Sequence, residues 1–122
     1  MKYSKFAKNL LEKVSSLQLE HNYAVLTAKE FYEEYHYTPK NSKSYEALEF
    51  NVNNFKLLVH HNAAKTEVAI YDDASEGDIS YDVEDFDDIE EAIYFVYGRL
   101  HMMKHRPEQL REYLRFAFMK YF

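Results

Sequence analysis

From Ser4 to about Glu20, Phe6, Leu10, Leu11, Val14 and Leu17 recur at the spacing of one helix stripe, with Lys5, Lys8, Glu12 and Lys13 on the other side. That pattern predicts an amphipathic helix. Thr27 followed by Glu30 has the form of a capping box, and Ala28, Phe31, Tyr32 and Tyr35 predict a short second helix that stops before Thr38-Pro39. The period then changes to two. Leu48, Phe50 and Val52 alternate with Ala47, Glu49 and Asn51, and Phe55, Leu57 and Val59 alternate with Lys56, Leu58 and His60. These are two strands, and Asn53-Asn54 suits the tight turn between them because asparagine tolerates positive φ. A third strand follows in "TEVAIYD", with Val68 and Ile70 on one face, and Ile79 to Val83 reads as a short fourth.

Asp87 and Glu90 repeat the N-cap logic, and Ile89, Ala92, Ile93, Val96, Leu100 and Met103 carry a stripe to about Lys104. Pro107 fits the first position of a last helix, whose stripe is Leu110, Tyr113, Leu114, Ala117, Phe118 and Tyr121. The predicted order is α-α-β-β-β-(β)-α-α. This is an α+β domain spanning 1–122, with an antiparallel meander of three to four strands and helices packed on one sheet face.

Composition narrows the chemistry. A chain of 122 residues is long enough to bury one core without a staple. It has no cysteine, which removes disulfides, thiolate metal sites and cysteine nucleophiles and fits a cytoplasmic setting. No apolar run approaches membrane-spanning length, and the N-terminus lacks the apolar core of a signal peptide. With Gly77 and Gly98 as its only glycines the chain offers no phosphate-cradling loop, and no G-x-S-x-G elbow occurs. No enzyme and no cofactor are expected.

Charge is the strongest compositional signal. Residues 1–65 carry a net +2, residues 66–98 carry −12 without a single base, and residues 99–122 carry +4. Within "YDDASEGDISYDVEDFDDIEE", Asp87, Asp88, Glu90 and Glu91 have a local reason to exist, since acids complement a helix N-terminus. The seven carboxylates from Asp72 to Asp85 have none. The residues expected to touch a partner are therefore Tyr71, Asp72, Asp73, Glu76, Asp78, Tyr81, Asp82, Glu84 and Asp85. Carboxylates interleaved with aromatic anchors suit a protein partner with a basic surface, as in an inhibitor, an immunity or adaptor protein, or a nucleic-acid mimic.

Other readings compete with this one. With Asp72 as position one of a calcium loop, Glu76 and Gly77 fall where an EF-hand needs them, but Ala74 and Val83 occupy ligand positions. A looser carboxylate metal site remains an alternative. His101 and His105 share a helix face at metal-ligand spacing without an identifiable third ligand, and His60 and His61 point to opposite sides of a strand. The order helix, three strands, helix resembles the double-stranded-RNA-binding topology, yet the acids that open the following helix oppose phosphate contact. A winged-helix-like DNA-binding reading uses residues 27–72, with a recognition helix near 40–52 and Lys40, Lys43, Lys56 and Lys65 on phosphates. Finally, Arg106, Arg111, Arg115 and Lys120 flank an aromatic C-terminal helix, which suggests a homodimer in which that helix meets the acidic segment of a second copy.

Overall fold

The computed structural model describes residues 3–35, 45–62, 65–72 and 80–120. Helix α1 (Lys5–Val14) begins where Ser4 Oγ accepts the Ala7 amide at 3.0 Å, and it buries Phe6, Ala7, Leu10 and Val14. A 3₁₀ turn at Ser15–Leu17 closes it, because Gln18 sits at φ 54°, a left-handed conformation that no helix continues through. The helix is thus shorter than its apolar stripe predicted.

The chain then forms strand β1 (His21–Leu26), which the sequence pattern did not reveal. Its burial explains why: Tyr23 alone is buried, so no apolar alternation marks it. Helix α2 (Ala28–Tyr35) follows, and its capping box is made in both directions. The Glu30 amide donates to Thr27 Oγ1 at 3.2 Å, and the Thr27 amide donates to Glu30 Oε1 at 3.0 Å. That bond from the Thr27 backbone, and then one from the Thr27 side chain to the same carboxyl, holds Glu30 below its usual pKa. The helix order therefore differs from the predicted one: one helix precedes the sheet, and α2 lies between the first two strands.

Strands β2 (Tyr45–Val52), β3 (Phe55–His61), β4 (Thr66–Asp72) and β5 (Ser80–Phe86) complete a five-stranded antiparallel meander of order β1-β2-β3-β4-β5. The β2–β3 hairpin pairs Val52 with Phe55 across Asn53 and Asn54, whose φ values of 49° and 69° are the double positive pair that a two-residue hairpin needs. Between β3 and β4, Asn62 and Lys65 bond backbone to backbone in both directions. Strand β5 pairs with β4 from Thr66–Phe86 to Tyr71–Ser80, with a register shift at Ile70 and Tyr71, and runs three residues past its predicted end.

Helices α3 (Ile89–His105) and α4 (Pro107–Lys120) return over the sheet. Ala92, Val96, Leu100 and Met103 are buried along α3, and Leu110 and Leu114 along α4. Together with α1 they cover the face that carries Tyr23, Leu48, Phe50, Phe55, Leu57, Val59, Val68 and Ile70. Tyr45, Ala47, Leu58, His60 and Ala69 are buried too, although they lie apart from that cluster, so β2, β3 and β4 are shielded on both faces. Among the described residues, the predicted helix positions Tyr32, Ile89 and Tyr113 are exposed. Among the described residues no helix is long and apolar enough to cross a membrane.

Candidate binding surface

Asp72 ends β4 with its carboxylate buried. Arg111 of α4 reaches it with Nε 3.1 Å from Oδ2, also bonds Glu108 Oε1 at 2.5 Å, and lies 4.9 Å over the Phe55 ring. Burial pulls the Arg111 guanidinium down, but Asp72 and Glu108 pull harder and leave its pKa raised. Asp72 is therefore occupied in pinning α4 to the end of β4. Asp85 is engaged in a similar way, because Lys65 Nζ lies 2.8 Å from Asp85 and 3.5 Å from Glu67 on the neighbouring strand. Each of the two residues thus has an internal cation, Asp72 in the interior and Asp85 at an exposed position.

The rest of the predicted set is scattered. Glu84 is exposed and sits opposite Val68, whereas Tyr71 is half-buried opposite Lys56. The backbones of Tyr81 and Asp82 lie in β5, Asp82 in register with Ile70. Asp73, Glu76 and Asp78 fall outside the described residues, as do Lys40 and Lys43. Within the DNA reading the structure corrects one element, the recognition helix. Tyr45–Val52 is a strand fully paired with two neighbours and not a recognition helix, Lys65 is held between carboxylates, and Lys56 Nζ lies 3.9 Å from Glu49. On the last helix Leu110 and Leu114 pack into the chain's own core, and Arg111 is spent within the fold, so its basic face is smaller than the sequence suggested.

The residues that do converge were assigned by sequence reasoning only to starting a helix. Asp88 caps α3, accepting the Glu90 amide at 2.9 Å, and Asp87, Glu90 and Glu91 are exposed around it. Beside them Ile89 is 43% exposed and Tyr94 64% exposed. Ile89, Glu90, Ile93 and Tyr94 face Asn9, Glu12 and Lys13 of α1 across an open groove of about 550 Å³. Lys13 Nζ lies 4.5 Å above the Tyr94 ring and 5.2 Å from that of Tyr97, so one edge of the groove is closed by a cation–π contact. The one sequence signal for this place was Tyr94 itself, a large aromatic lying off the buried stripe of its helix.

The histidines form no such convergence. His101 and His105 are exposed with ring centroids 4.6 Å apart, and among the described residues no group of three potential metal ligands occurs. His61 stacks on Phe6 at 4.0 Å with Nδ1 2.7 Å from Thr66 Oγ1; burial lowers its pKa while Glu46 opposes that. Ser4 donates to Glu46 Oε1 at 2.5 Å and Tyr23 donates to the same atom at 3.3 Å, which ties the start of α1 to the sheet. His60, on the far face, is buried, and burial pushes its pKa down to about 3. No family model, no curated protein and no solved structure matches the chain.

Proposed function

We propose that the chain is a non-enzymatic binding protein that engages a basic macromolecular partner through the groove between α1 and α3. The observation that carries this reading is the exposure of Ile89 and Tyr94 beside Glu12 and Glu90 in one groove, at the start of a helix whose exposed residues there are otherwise acids. Apolar anchors supply the contact area, and the surrounding carboxylates attract and orient a cationic partner. Residues 66 to 98 contribute no base of their own, so the segment around the groove adds only negative charge, which speeds association and disfavours acidic competitors. An adaptor, an inhibitor or an immunity protein would use such a surface in the same way. Glu84, exposed on β5, extends the acidic character beyond the groove.

The test uses a labelled lysine-rich amphipathic helical peptide and, in parallel, a short labelled DNA duplex. The peptide binds at low salt, with an affinity that falls as salt rises, and the duplex does not. Glu90→Gln with Glu91→Gln weakens the peptide by about tenfold, on the scale of one to two charge contacts. Tyr94→Ala removes no charge and weakens it comparably, which separates docking in the groove from diffuse attraction. Equal affinity of wild type and all variants, or retention of the duplex in preference to the peptide, contradicts the proposal.

A further inference from the structure

The two edges of the sheet are built differently. Strand β5 carries Asp82, Glu84 and Asp85 and meets β4 through an irregular register. A second β5 brought alongside would face like charge, which is how natural sheets blunt an edge. Strand β1 has none of these devices. Its six residues, HNYAVL, include no lysine, arginine, acid or proline, and all six pair with β2 in unbroken register. Among the described residues no strand lies beyond it. Asn22 and Ala24 are exposed, and Val25, next to the last residue of the strand, is 60% exposed, the kind of apolar edge that pairs with another chain.

We propose that β1 is a dimerisation edge, on which a second copy of this chain pairs antiparallel to give one continuous ten-stranded sheet. The argument for self-pairing is that the strand is uncharged apart from His21, whose ring is occupied by the Tyr3 hydroxyl at 3.2 Å, so two copies meet without repulsion. A two-fold axis that continues the sheet keeps each face on its own side and therefore pairs residues whose numbers have the same parity. Centred on Ala24, it sets Ala24 against the partner's Ala24, Tyr23 against the partner's Val25 and Asn22 against the partner's Leu26. The exposed valine is then covered by the neighbouring subunit. This contact is independent of the α1–α3 groove and of the charged contact that the C-terminal helix suggested.

Three measurements test it together. Sedimentation equilibrium across the micromolar range gives a dimer whose stability does not fall when salt is raised to molar strength. Val25→Lys, at a position exposed enough to spare the fold, halves the mass while the circular dichroism spectrum stays that of wild type. Because the chain has no cysteine, Ala24→Cys introduces its only thiol. Cα atoms paired across an antiparallel ladder lie within disulfide range, so mild oxidation crosslinks this variant, whereas Glu84→Cys on the other edge stays monomeric. A folded wild type that remains monomeric at every concentration overturns the proposal. So does a dimer that Val25→Lys leaves intact, a dimer that salt dissolves, or equal crosslinking of the two cysteine variants.

Discussion

His60 makes stability depend on pH above the range in which most carboxylates titrate. Its ring is 2% exposed between the strands of the far face, and burial, which penalises the charged form, lowers its pKa to about 3. Glu67 Oε2 stands 4.0 Å from Nδ1, beyond hydrogen-bond reach and itself partly exposed, so it offsets little of that penalty. In the unfolded chain the imidazole titrates near 6.5. As pH falls below that value the unfolded state takes up a proton that the folded state refuses, so the stabilisation is complete above about 6.5 and is lost progressively toward 3. Linkage puts the loss at about 2 kcal/mol at pH 5 and about 3 kcal/mol at pH 4. The perturbation is His60→Leu, which fills the site without a titrating group, and the assay is urea unfolding of both proteins at pH 7, 6 and 5. The baseline at pH 7 shifts with packing, but the change from pH 7 to pH 5 is smaller in the variant by about 2 kcal/mol. Carboxylates and His61 contribute to both proteins and cancel in that difference. Parallel pH profiles refute the reasoning, since they mean that His60 takes its proton in the folded state. The ring proton of His60, followed by NMR, gives the same answer: its shift stays flat from pH 7 to pH 5.

Two further outcomes follow from the packing. Arg111→Met leaves the Asp72 carboxylate buried without its guanidinium and destabilises the fold by about 3 kcal/mol, the lower end for a broken buried pair because Arg111 is 19% exposed. Adding Asp72→Asn recovers part of that loss, and chemical denaturation of the singles and the double measures the coupling. Asn53 donates to the Met103 carbonyl at 2.8 Å and to the Lys104 carbonyl at 3.3 Å, closing the end of α3 from a hairpin residue at φ 49°. Asn53→Ala therefore costs about 2 kcal/mol through lost bonds and backbone strain, whereas Asn54→Gly, at φ 69°, changes stability by less than about 0.5 kcal/mol in thermal unfolding.

Where local chemistry decides the backbone, the sequence could be read. The Asn53-Asn54 turn and the reciprocal Thr27–Glu30 cap form as their residue types demand, and α3 is capped one residue later than expected, by Asp88 rather than Asp87. Strand β1 was illegible because Tyr23 is its single buried residue, and β5 was read short because Glu84 and Asp85 do not look like strand residues. Neither strand is selected by its own pattern: β1 pairs with a single neighbour, β2, and β5 pairs with β4. The internal pairing of two of the acids was illegible for a different reason. Asp72 is neutralised by Arg111, 39 residues away, and Asp85 by Lys65 across a strand, and spacing along the chain carries no trace of either pairing. Conversely, Glu12 and Glu90 belong to separate helices, so their meeting around Tyr94 is visible only once α1 and α3 are packed.

The most direct test of the binding surface is a titration of the isotopically labelled protein with the lysine-rich amphipathic peptide, followed amide by amide at low and at high salt. The account predicts that the largest shifts fall on Glu12, Lys13, Ile89, Glu90, Ile93 and Tyr94, and that they shrink as salt screens the carboxylates. Shifts spread evenly over every acidic segment, or centred on β4 and β5 with the α1–α3 groove untouched, would contradict it.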